Sequence, residues 1–130
     1  MIEPSLALQG AILTAVKGQT DAGDNVFDRI EPLVFPRVQI GGGQTILNEP
    51  DCIEAGAEIY FQIDVFSKAA GYPEVKTIAW QIRYQVHKKA LPLDGWSLID
   101  LQLNDAVYSR EADGEISRAR MTLRGYVEAP

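Results

Sequence analysis

Few residues of this chain are equipped for chemistry, and they do not cluster. His87 is the only histidine and Cys52 the only cysteine, so neither has a second histidine or thiol nearby to complete a nucleophile pair or a metal site. Asp51 and Glu54 flank Cys52 closely, and their negative charge disfavours the reactive thiolate. A lone cysteine also makes no internal disulfide and no four-ligand zinc site, which fits a reducing compartment. Gly41-Gly42-Gly43-Gln44-Thr45 lacks the Lys-Ser/Thr ending of a phosphate-binding loop and precedes no helical pattern, so it reads as a hinge. Two acidic groups, Asp21, Asp24, Asp28, Glu31 and Glu49, Asp51, Glu54, miss the ligand spacing and central glycine of a calcium loop and read as turn formers. No catalytic residue, metal site or cofactor is implied, and nothing in the chain requires an enzyme.

The most informative polar feature is a run of arginines near the C-terminus. Arg118, Arg120 and Arg124 alternate with Ala119, Met121 and Leu123, which puts the cations on one strand face and the apolar residues on the other. Two uses of such a face are open. The arginines meet acids of neighbouring strands, Asp100, Glu58 or Asp64, as on many solvated sheets. Alternatively, the face meets another copy or a partner.

The elements that must position these residues follow from length and periodicity. At 130 residues, 46% hydrophobic and 23% charged, the chain suits one globular domain spanning 1–130. Its formal net charge of −6 argues against a broad phosphate-binding surface. No apolar run reaches the ~18 residues of a membrane span, and Met1 to Pro4 lacks the basic start of a signal peptide, so no membrane partner is expected. Leu8, Ala11, Ile12, Ala15 and Val16 predict a helix over 4–17, with Gly18 as its stop. Arg37 to Ile40 reads as a short strand, and residues 41–56 as a long loop in which Ile46, Leu47 and Ile53 are the apolar residues. Ile59, Phe61, Ile63 and Val65 alternate through a half-buried strand. Pro73 opens a second helix whose stripe of Val75, Ile78, Ala79, Ile82 and Val86 extends it through residue 89. Residues 99–103 and 119–127 alternate as a terminal hairpin turning at Asp113-Gly114. The order lacks regular βαβ alternation, so the expected class is α+β: a mainly antiparallel sheet of about four strands with two helices packed on one face.

Taken together, these pieces resemble a family. Leu8-Gln9-Gly10-Ala11-Ile12 in the first helix, Val26-Phe27-Asp28, Phe35-Pro36-Arg37-Val38-Gln39-Ile40-Gly41, the strand Ile63-Asp64-Val65-Phe66-Ser67, the helix after Gly71 and the terminal hairpin follow the order and spacing of the small tail-completion, or tail-terminator, proteins of long-tailed phages, prophages and gene transfer agents. The resemblance covers nearly the whole chain and is structural rather than catalytic. It implies a non-enzymatic virion protein, assembled in the host cytoplasm, that caps the tail tube at its neck end as a homo-hexameric ring. Such a ring stops polymerisation and offers a surface for head-tail joining. The implied partners are further copies of the chain, the tail tube protein and the head-tail connector or neck proteins, with DNA passing the lumen without specific binding. The family has no catalytic motif to transfer. The interface candidates are therefore the arginine face, Arg118, Arg120 and Arg124, and the long loop, with Ile46, Leu47, Asp51 and Ile53. Rival readings are a neck adaptor between connector and tail, and a small α+β ligand-binding or enzyme domain with a pocket near Trp80, Tyr84 and Trp96. Those three aromatics are expected in the core or at its boundary.

Overall fold

A computed structural model describes residues 2–29, 34–47, 56–112 and 114–130. Two helices and six strands follow in the order α1 (Pro4–Val16), β1 (Val26–Phe27), β2 (Arg37–Leu47), β3 (Gly56–Ser67), α2 (Pro73–Val86), β4 (Ser97–Leu103), β5 (Val107–Arg110) and β6 (Ser117–Glu128). The sheet runs β1-β2-β3-β6-β4, and β5 also pairs with β6. The class is α+β as expected, but the sheet has six strands rather than about four. It is also mixed, because β1 runs parallel to β2.

Alternation decides which face is buried. Ala57, Ile59, Phe61, Ile63 and Val65 of β3 stand opposite Val127, Gly125, Leu123, Met121 and Ala119 of β6, and Val38 and Ile40 of β2 continue the same face. Leu8, Ile12 and Val16 of α1 and Val75, Ile78, Ala79, Ile82 and Val86 of α2 join these residues in one buried cluster. Both helices therefore cover one side of the sheet and leave the other to solvent.

The start of α1 is built locally. Pro4 occupies a first-turn position where a missing N–H costs nothing, and the Glu3 carboxylate accepts from Leu6 N at 2.9 Å and from the Ser5 hydroxyl. Thr45 Oγ1 donates to the same carboxylate at 3.2 Å, which ties α1 to β2. Burial pushes Glu3 upward, yet these hydrogen bonds outweigh it and hold the group below its ordinary value.

Three sequence expectations change. The helix expected to run through residue 89 ends at Val86, because Lys88 turns to φ 55° and its N–H leaves to bond Leu101 O at 2.8 Å. The loop expected over 41–56 is strand as far as Leu47: Gly43 through Leu47 pair with Phe61 through Ala57 after a bulge between Gly41 and Gly43. Residues 48–55 lie outside the described residues. The terminal hairpin gains a strand, since β5 lies between β4 and β6 in sequence and pairs with residues 117–120 of β6.

Candidate functional site

The sheet's open face carries the arginines, and register assigns their partners. Arg120 stands directly across from Asp64, and Arg118 from Phe66. Asp64 Oδ1 accepts from Arg118 Nε at 3.1 Å and from Arg120 Nε at 3.3 Å, so one carboxylate whose side chain is 12% exposed holds two guanidinium groups. Arg118 Nη1 lies 3.7 Å from Glu111, and its guanidinium sits 5.5 Å over the Phe66 ring. Arg124 Nη2 donates to Glu58 Oε1 at 3.2 Å, and that bond raises the arginine above its ordinary value. Asp100, also considered as a partner from sequence, accepts instead from Gln102 Nε2 at 2.8 Å.

Arg37 extends the same face across β2. Buried at the sheet's β1 end, it lies 5.9 Å over Phe27 and 5.5 Å over Phe66, and its Nη2 donates to Gln39 Oε1 and Arg29 O. Burial lowers its pKa, yet a guanidinium starts so far above neutrality that the charge is retained. Sequence reasoning missed this residue as a charged member of the face. The available signal was its place two positions before Gln39 in a strand whose Val38 and Ile40 are buried. The open face is thus a lattice of locally matched charges. Among the described residues, no three of His, Cys, Asp and Glu converge as a metal site.

The other interface candidates divide. Ile46 stands opposite Glu58 on the open face and Leu47 opposite Ala57; both are exposed, Leu47 by 67%. They lie on an edge strand, because beyond the two-residue contact with β1 nothing pairs with the outer side of β2 among the described residues. Asp51 and Ile53 fall outside the described residues, as do Cys52, Glu49, Glu54, Glu31 and Asp113. Asp21, Asp24 and Asp28 form no ligand cluster; Asp21 exchanges hydrogen bonds with Gln81, and Asp28 accepts from Gln9.

His87 ends α2 and its Nδ1 accepts the Leu103 N–H at 3.1 Å, joining helix to β4. Desolvation, with Arg83 and Lys88 nearby, lowers its pKa against a smaller opposing effect of Asp100. Trp80 and Tyr84 correct an expectation: neither is core or boundary, for they are 66% and 68% exposed. Only Trp96 is partly buried, its indole N–H bonded to Ile2 O at 2.9 Å. Among the described residues, the cleft beside Trp80 does not bring the three aromatics together. An open cleft of about 430 Å³ between α2 and the β4–β5 connection is lined by Trp80 but by neither Tyr84 nor Trp96.

Comparison with known proteins follows the same structural line. The family described as tail completion protein gp17 matches over residues 7–128. Among solved structures, a chain in the virion of a native gene transfer agent (GTA) particle has the same fold, with a TM-score of 0.85 and 24% identity over 96% of this chain and 97% of that chain. None of the curated proteins matches the chain.

Proposed function

The chain belongs to the tail completion protein gp17 family, which makes it a structural protein of the virion tail rather than an enzyme; from that premise we propose that it caps the tail tube as a ring, six-membered as the resemblance implies, at the neck end. The ring ends tube polymerisation and presents a surface for head-tail joining. Its partners are other copies of the chain, the tail tube protein and the connector or neck proteins.

The family match across residues 7–128 carries this reading, and the geometry is consistent with it. A ring subunit needs surface that it does not satisfy alone. Here Ile46 and Leu47 are exposed on an open edge strand, and the sheet's outer face offers Arg120 and Arg124, each already oriented by an acid. In this reading Arg118, Arg120 and Arg124, with Ile46, Leu47, Asp51 and Ile53, meet neighbouring subunits or the tube. The net charge of −6 suits a lumen that lets DNA pass without holding it, because like charge discourages phosphate contact.

Electron microscopy of lysates from a particle-producing strain lacking the gene tests the role. Filled heads beside unattached tails of irregular length are the expected outcome. Tails of normal length that fail only to join heads would assign the chain to a neck adaptor, and normal joined particles would refute both roles.

A further inference from the structure

The edges of the sheet are closed unevenly. An edge strand offers unpaired N–H and C=O groups to any extended chain. At β4 the last turn of α2 occupies those groups: Lys88 N–H donates to Leu101 O at 2.8 Å, Arg83 Nε to Leu103 O at 2.8 Å, and Leu103 N–H to His87 Nδ1 at 3.1 Å. At the other side β1 covers β2 only at Val38 and Gln39. Residues 41–47 hold no charge and no proline, the usual devices that discourage strand addition. The outer edge of β5 is open too, since among the described residues β5 pairs with β6 alone.

These two open edges match in hydrogen-bonding phase. Val38 N–H points outward to Asn25 O, and pairing with β3 carries that alternation through the bulge, so Gly43, Thr45 and Leu47 also turn their backbone groups outward. On β5, Glu111 N–H bonds Ile116 O just past the Arg110 and Ser117 pair, which leaves Tyr108 and Arg110 facing outward. Thr45 set against Tyr108 and Gly43 against Arg110, antiparallel, therefore satisfies both edges. The same register puts Ile46 opposite Val107 as a close pair without hydrogen bonds. Those two side chains are 41% and 60% exposed, and both stand on the open face, beside Glu58 and Arg120.

The geometry points to a sheet continued from copy to copy, in which residues 43–46 of one subunit add antiparallel to Val107–Arg110 of the next. Direction agrees: β2, β3, β6 and β5 are joined by antiparallel pairings only, so β2 and β5 run oppositely, and a rotation that continues the sheet keeps directions and faces. Ile46 is level with Tyr126 through Glu58, six positions along β6 from the Arg120 that faces Val107. Each copy is thus displaced about 20 Å along the strands for about 19 Å across four strand spacings. Strands inclined by about 45° result, close to the tilt at which staggered strands close round an axis. The contact joins two different edges, so it builds a ring rather than stopping at a dimer. It rests on the ring reading above and names the edges that form it.

Cysteine pairing in the purified full chain, with Cys52→Ser as background, tests the contact. Ile46→Cys in one chain and Val107→Cys in another, mixed and oxidised, are expected to yield a disulfide dimer through positions 46 and 107, because such partners hold their Cβ atoms close. Either variant oxidised alone is expected to give roughly a tenth of that yield or less. Ile46→Lys puts a charge on the exposed edge and is expected to weaken self-association roughly tenfold while the melting temperature stays near wild type. A dominant product through position 46 of both chains would mean two-fold pairing of β2 and overturn the contact. No product, or unchanged association in Ile46→Lys, would overturn it as well. The ring itself falls only if the gene deletion leaves tail length unchanged.

Discussion

His87 shows how one side chain couples the two layers. Its Nδ1 accepts the Leu103 N–H while Arg83 and Lys88 stand close by, so the folded protein favours neutral imidazole and the group lies below its ordinary 6.5. On acidification the unfolded chain takes up the proton first. The contribution of this group is therefore full above about pH 6.5 and is lost as the pH drops below it, well before the carboxylate Glu3, itself held low, begins to protonate. The melting temperature of the wild type is expected to fall between about pH 7 and about pH 5. His87→Asn keeps an acceptor for Leu103 and removes the titration, so most of that fall should vanish. Equal pH profiles for the two proteins would show that Nδ1 is not the group responsible. The residue scale is also where sequence reading was weakest. Trp80 and Tyr84 are four apart, a spacing that serves a core flank as readily as a surface. A helix turns about 100° per residue, and that alone places Trp80 about 200° from the buried Ile78.

At the scale of elements, legibility followed side-chain contrast. β3 was readable because Ile59, Phe61, Ile63 and Val65 alternate with polar residues, and both helices because their apolar residues recur at helical spacing. The distal half of β2 was not readable: three glycines carry no side chain to show a period, and the bulge between Gly41 and Gly43 shifts the phase. β5 gave no signal because all four of its residues are exposed. The arginine face could be read as a face, but its partners could not be chosen from several acids until β3 and β6 were in register. The bulge now supports a prediction. Gly43 has φ +139°, and a Cβ there would lie 1.9 Å from the Tyr60 carbonyl oxygen, whereas Gly42 at φ +48° has open space around it. Gly43→Ala must push β2 from β3 and is expected to cost about 3 kcal/mol. Gly42→Ala meets only the left-handed backbone penalty, about 1 kcal/mol. Urea unfolding midpoints of the two variants at unchanged m-value test the difference, and equal midpoints would mean that the strand relaxes freely there.

For the whole molecule, charge acts at two distances, and salt separates them. Each copy carries a net charge of −6 on a body of about 14 Å radius of gyration, so two copies repel over several tens of ångströms. Matched surface charges brought together at a subunit contact attract within a few ångströms. The screening length is about 30 Å at 0.01 M salt, 10 Å at 0.1 M and 3 Å at 1 M. The lowest salt therefore leaves the long-range repulsion in force, and about 0.1 M removes most of it while the contact pairs are little affected. Near 1 M the pairs themselves weaken. Self-association, followed by sedimentation across this range, is expected to rise and then fall, with its maximum near 0.1–0.2 M. In Arg120→Glu/Arg124→Glu the short-range attraction is lost from the open sheet face, and association should increase steadily with salt as repulsion is screened. A steady increase in the wild type as well would mean that apolar surface alone, such as Ile46, Leu47 and Trp80, draws the copies together.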